Sequence, residues 1–157
     1  MEERNAIDGS PSILLGASEA RIVERRAASV IRSYEDLDVY QTSYQGMLTI
    51  FKQILPLLPK EEKFDLTDQL RRSCKAIPRL IAEGHSKRHQ VRGFQKYIDD
   101  AHAEANETVV SLNQVKDLYA SATHHTMIIK LIDRYDKISR QLFNLAKAWR
   151  NYSKDRR

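Results

Sequence analysis

The densest chemistry in this sequence is cationic. Between Arg71 and Lys96, eight side chains (Arg71, Arg72, Lys75, Arg79, Lys87, Arg88, Arg92 and Lys96) stand against one carboxylate, Glu83. Clustered Lys and Arg neutralise phosphates and release condensed counterions, which is the main source of sequence-independent affinity for nucleic acid. The same cluster also fits pairing with carboxylates across a subunit interface, or a merely solvated helix face. Nucleic-acid contact ranks first of the three, with Arg71, Arg72, Lys75, Arg79, Lys87, Arg88 and Arg92 as the candidate site. Adjacent helical residues point about 100° apart, so Arg71 and Arg72 are expected to divide between two faces. Glu83 stands four residues after Arg79, the spacing of an intrahelical ion pair.

The remaining reactive residues do not assemble into a catalytic set. Arg79 and His85 have a spacing that resembles the RNA-cleaving motif of HEPN-type ribonucleases, but Leu80 occupies the place where a polar residue commonly follows the arginine. No catalytic residue is expected, and the chain is read as non-enzymatic. His85 and His89 are four apart and would share a helix face, yet no nearby Cys or Asp completes a metal shell. A di-metal bundle site needs two Glu-x-x-His pairs, whereas this chain offers only Asp99-x-x-His102 and Glu104. Neither a metal nor any other cofactor is expected. Cys74 falls on an apolar stripe and reads as a small buried hydrophobe. His124 and His125 are placed in a turn as solvated or capping groups. Trp149, Tyr152 and Tyr119 carry rings able to stack on bases, but the spacing of Trp149 from Leu145 and Ala146 assigns it to a core.

The elements that must position these residues are helices. Five Gly and four Pro in 157 residues are few, and helix-forming Ala, Leu, Ile, Lys, Arg, Glu and Gln dominate. Residues 1–35 are read as an N-terminal leader. Residues 1–17 show no sustained periodicity and are expected to be flexible, while Ser18 to Ile31 carry a weak helical stripe. Residues 36–157 are read as an antiparallel, up-down-up-down four-helix bundle, an all-α fold. Helix one carries Leu37, Tyr40, Tyr44, Met47, Leu48, Phe51, Ile54 and Leu55 on its apolar stripe and stops at Pro56 and Pro59. Helix two opens at Lys60 with Phe64, Leu70, Cys74, Ile77 and Ile81 inward. Pro78 is expected to kink it and Gly84 to end it. A polar connection from His85 to Gln90 leads to helix three, with Val91, Phe94, Ile98, Ala101, Ala105, Val109, Leu112, Val115 and Tyr119 inward. A turn over Ser121–Thr126 then precedes helix four, which runs from Met127 to Tyr152.

The net charge of +5 conceals an asymmetry. Residues 1–37 hold five basic and seven acidic side chains, so the remainder carries a net +7. The single cysteine excludes an intrachain disulfide and fits a reducing cytoplasm. The longest apolar runs are far too short to span a bilayer, and no basic stretch followed by an apolar one opens the chain, so neither membrane insertion nor secretion is expected. Leu66, Leu80 and Phe143 exceed the core stripes of their helices and are read as apolar surface for self-association.

One run of residues carries a resemblance. Leu37-Asp38-Val39-Tyr40-Gln41, then Phe51, then the segment from Leu58 to Arg88 centred on Gln69-Leu70-Arg71-Arg72-Ser73, Ile77-Pro78 and Ile81-Ala82-Glu83-Gly84, resembles the 23S ribosomal RNA intervening-sequence proteins. The likeness continues through Phe94, Tyr97, Ala101 and Glu107. It departs at Leu80, where the family usually has Asn, and at Ala103-Glu104, where a Gly-Ser pair is usual. The resemblance implies a cytoplasmic four-helix bundle that assembles into cyclic homo-oligomers, often of five subunits. It also implies kinship in architecture with accessory proteins of diversity-generating retroelements, which bind nucleic acid and a reverse transcriptase. The expected function is therefore a homo-oligomeric bundle binding RNA or another nucleic acid through the basic second helix and the connection after it. The alternative is a protein scaffold for a reverse transcriptase or a ribosome-associated factor, with an RNA-cleaving enzyme third.

Overall fold

A computed structural model describes residues 32–154, with the side chains of Val91 and of residues 151–154 left aside. The leader stripe Ser18–Ile31 and the core assignments of Val91 and Tyr152 therefore lie outside the described residues. Four α-helices follow one another: α1 (Asp38–Thr49), α2 (Leu66–Ser86), α3 (Val91–Leu118) and α4 (Ala122–Lys154). Helix α1 packs on α2 and α4, α2 on α3, and α3 on α4, which closes the bundle. The short connections, residues 87–90 and 119–121, make α2, α3 and α4 antiparallel neighbours in sequence.

Ser33 caps the 3-10 turn that leads into α1. Its hydroxyl accepts from the Glu35 N–H, and the Asp36 carboxylate accepts from the Arg32 and Ser33 N–H groups at 2.9 Å each. These backbone hydrogen bonds, Ser33 first, hold the Asp36 carboxyl below its usual value. A single 3-10 turn, Tyr34–Asp36, then leads into α1.

The end of α1 is set by Pro56. Having no N–H, Pro56 cannot donate to the Lys52 carbonyl, which removes a rung of the helical ladder where α1 ends. The chain widens into a π turn, Ile50–Ile54, in which the Leu55 N–H donates to the Ile50 carbonyl, and then tightens into a 3-10 turn over Leu55–Leu57. Ile50 and Ile54 both remain fully buried.

Three expectations for α2 are corrected. The segment Lys60–Phe64 is a separate 3-10 turn, and the backbone at Asp65 (φ −124°, ψ −107°) breaks it from the α-helix that begins at Leu66. That break changes the register. Phe64 is 85% exposed, while Leu66, read from the sequence as surface for self-association, is 5% exposed and takes its place in the core. Gly84 does not end the helix, which continues to Ser86. A Cβ at position 84 would lie 3.1 Å from Tyr97 Cβ and 3.4 Å from Ile98 Cδ1, so the glycine lets α2 approach α3 closely. His85 is thus a buried helical residue and not the start of the connection. Pro78 lies inside α2 with its ring buried.

Helix α4 begins at Ala122, five residues before Met127, because the Ser121 carbonyl accepts from the N–H groups of His124 and His125 and starts the helical ladder there. The Ser121 hydroxyl lies 2.8 Å from His124 Nδ1. These two histidines therefore sit in the first turn of a helix and not in a turn between helices.

The core runs the length of the bundle through Ile50, Leu70, Cys74, Ile77, Ile81, Ile98, Leu112, Ile128, Tyr135, Ile138 and Leu142. Truncating one such side chain, for example Ile98→Ala, costs about 2–5 kcal/mol in a well-packed interior. Small polar residues let helices meet at two places. The Ser73 and Thr108 hydroxyls lie 2.9 Å apart between α2 and α3, and the Ser139 hydroxyl donates to Asn106 Oδ1 at 2.7 Å between α4 and α3. Gly46 brings α1 onto α4, since a Cβ there would meet the Tyr135 ring and hydroxyl at 3.0 Å. Outside the core, Tyr119 hydrogen-bonds Glu62 and ties the end of α3 to the turn before α2.

Candidate nucleic-acid interface

The seven candidate cations occupy α2, the connection after it and the first turn of α3, and all seven are exposed. They do not form one patch. Leu70, Cys74, Ile77 and Ile81 fix the inward face of α2, so residues 71, 75 and 79, four apart, ascend an outer ridge with a rise of ~6 Å per step. The α1 neighbours of that ridge are aromatic. Arg71 Cζ sits 5.2 Å and Lys75 Nζ 5.9 Å from the centroid of the Phe51 ring, which the π turn at the end of α1 presents. Such contacts hold long cationic side chains in place without neutralising them.

Two turns toward the N-terminus of α1, Lys75 and Arg79 form one wall of a groove whose other wall is Tyr34, Tyr40, Tyr44 and Met47, with Pro78 and Ala82 also lining it. The rings form a ladder: Tyr34 meets Tyr40 edge-on at 4.8 Å, and Tyr40 stacks near-parallel to Tyr44 at 6.0 Å. The sequence periodicity assigns Tyr40, Tyr44 and Phe51 to the core; Tyr40 and Phe51 pack against its margin, and Tyr44 lies outside it. Val39, Ser43, Gly46, Ile50 and Ile54 face inward, Tyr40 and Phe51 are half-buried, and Tyr44 is 41% exposed. The aromatic signal was visible; its side of the helix was not, because the inward positions are occupied by the small residues Ser43 and Gly46.

Arg72 turns the other way and pairs with Asp68 at 3.2 Å. It and Arg79 also pull down the carboxyl of Glu104 on α3, but burial outweighs them and, with Glu107, holds that carboxyl above its usual value. Arg79 Nε lies 4.0 Å from Glu83, the ion pair that the spacing predicts. Lys87 donates to the Tyr97 hydroxyl at 2.9 Å and lies over its ring, while Arg88 donates to the His85 carbonyl at 2.9 Å and closes the end of α2. Arg92 shares a shallow surface depression with Lys96, Asp100 and Arg150, where Lys96 and Asp100 form an ion pair. Among the described residues, Arg71, Lys75, Lys87, Arg88 and Arg92 have no carboxylate within ion-pair distance.

The other reactive groups are placed apart from one another. Arg79 points to solvent while His85, six residues on and ~120° around the same helix, points inward. The His85 ring meets Tyr34 edge-on at 6.4 Å, and burial, then Arg88, holds its pKa below the usual value. Burial pushes the Cys74 thiol up to about 12, which removes it as a nucleophile at neutral pH. Among the described residues, no three His, Cys, Asp or Glu side chains are grouped to hold a metal ion, and no helix is long and apolar enough to cross a membrane. Trp149 packs at 4.2 Å on the Phe94 ring, and Tyr119 packs against the core with its hydroxyl on Glu62.

The fold defines an all-α, four-helix-bundle protein with a polycationic second helix. The family model for 23S rRNA-intervening sequence proteins matches residues 35–144, and the chain belongs to that family. No curated protein matches it.

Proposed function

We propose that this bundle binds single-stranded RNA without cleaving it, through the cations of α2 and the connection that follows, and that it works as a homo-oligomer. The observation that carries the reading is the state of the cations. Eight lie within 26 residues, and Arg71, Lys75, Lys87, Arg88 and Arg92 have no carboxylate partner among the described residues. A surface evolved only for solubility commonly intersperses both signs of charge, whereas unneutralised cations held over aromatic rings favour a polyanion. Membership in a family named for an insert in ribosomal RNA supports RNA as the acid concerned.

Self-association is supported by a different surface. Phe143 on α4 is 53% exposed with its ring 6.0 Å from His102 of α3, and Val110 of α3 is also exposed. Leu80 is half-buried against the core, so of the three apolar residues that the sequence offered for assembly, only Phe143 is exposed. A cyclic arrangement would repeat the cationic ridge and raise avidity without new contacts.

The test is a gel-shift titration of a single-stranded RNA at several salt concentrations, with RNA integrity followed on a denaturing gel. Salt-dependent binding with intact RNA supports the proposal. Shortened RNA would establish an enzyme instead, and absence of any shift would leave the bundle as a protein scaffold.

A further inference from the structure

Resting on the RNA-binding reading above, we propose that the groove between α1 and α2 is the subsite where bases of the bound single strand stack, with Tyr44 as the platform and Lys75 and Arg79 holding the adjoining phosphates. The groove has a volume of about 350 Å³. One wall is a ladder of tyrosine rings and the other is cationic. Single strands are bound where an electropositive track runs beside aromatic rings, because every base has a π face and every nucleotide a phosphate. Here the two features run side by side. Tyr44 on α1 and Phe51 in the π turn that continues it are seven residues apart, ~10 Å of rise, and the ridge of Arg79, Lys75 and Arg71 descends antiparallel beside them.

The geometry assigns distinct parts. Tyr34 edge-on to Tyr40, and Tyr40 stacked on Tyr44, hold the ladder from behind and leave Tyr44 as its exposed end. Phe51 is covered by Arg71 and Lys75 and serves to orient these heads. An acidic peptide would match the charge but make no use of the ring faces. A duplex would match the charge while keeping its bases stacked on each other. Single-stranded RNA uses both walls.

The experiment compares the full chain with Tyr44→Ala and Tyr44→Phe. Fluorescence anisotropy follows a labelled oligouridylate across a salt series, a duplex of equal length serves as the control, and sedimentation reports the assembly state. The expected result is a loss of roughly fivefold or more in single-strand affinity for Tyr44→Ala, near-complete rescue by Tyr44→Phe, an unchanged salt slope and unchanged duplex binding. If Tyr44→Ala binds the oligouridylate as tightly as the parent, with the same salt dependence, the stacking subsite is refuted and the electrostatic reading stands. If the parent itself does not bind, both fall. If Tyr44→Ala instead dissociates the oligomer, the groove belongs to a second copy of the chain and the proposal is overturned.

Discussion

The outer ridge of α2 and the outer faces of α3 and α4 are built from the same helical geometry and all expose cations, but only α3 and α4 also expose large apolar side chains. On α2, Arg71, Lys75 and Arg79 stand beside aromatic rings of α1, and only Arg79 has a carboxylate near it. On α3 and α4 the exposed residues include Val110, Leu118, Ile129 and Phe143, large apolar side chains with no place in the core. A ridge of cations, two of the three without a carboxylate partner among the described residues, suits a polyanion; exposed apolar side chains suit another protein surface. Under the proposed function, assembly uses α3 and α4 and RNA binding uses α2.

If the two surfaces divide the work in this way, Phe143→Asp should have the largest effect. It should shift sedimentation toward the monomer and, by removing avidity, weaken apparent RNA affinity by roughly 100-fold while leaving the affinity of a short oligonucleotide for one subunit unchanged. An assembly that survives this change would break the comparison. Next in size is Lys87→Glu with Arg88→Glu, two exposed residues at the end of α2. Reversing both charges should lower RNA affinity by about tenfold or more and flatten its salt dependence. Circular dichroism should show the helices retained and sedimentation should show the oligomer intact.

His85 sharpens the contrast because it lies under the cationic side, against Tyr34 and beside Arg88. Its pKa is lowered by burial and by Arg88, with Asp36 opposing. The folded state thus binds the proton less readily than the unfolded chain. Stability from this group is fully present above the unfolded value of about 6.5 and is lost as pH falls through it toward the folded pKa. Thermal melts between pH 7.5 and 5.5 should show a decline that His85→Gln reduces. The smallest expected effect is in the interior. The Tyr135 hydroxyl is buried with no hydrogen-bond partner among the described residues, and an unmet buried hydroxyl costs about 1–3 kcal/mol. Tyr135→Phe should raise stability in urea melts by about 1 kcal/mol and leave RNA binding and assembly unchanged.

The sequence made the bundle legible wherever a large aliphatic repeats at helical spacing, as through Leu70, Cys74, Ile77 and Ile81 or Leu131, Tyr135, Ile138 and Leu142. It misled where small residues do the packing. Ser43 and Gly46 make the inner face of α1, so periodicity follows Tyr40, Tyr44 and Phe51, of which Tyr40 and Tyr44 line the groove and Phe51 lies beneath Arg71 and Lys75. Gly84 looks like a helix stop and is a contact point between helices. The exchange of Phe64 for Leu66 depends on the backbone at Asp65, which no periodicity encodes. The cationic residues were evident from composition; their division into an aromatic-flanked ridge, a helix end and a separate depression needed the helices in place.

The most direct test of the central claim is the affinity of the wild-type protein for single-stranded RNA, measured from 50 to 300 mM salt. With about three to five phosphates contacted per subunit, the logarithm of the affinity should fall against the logarithm of salt with a slope of roughly −2 to −4. A slope near zero, or no binding at the lowest salt, would contradict the account.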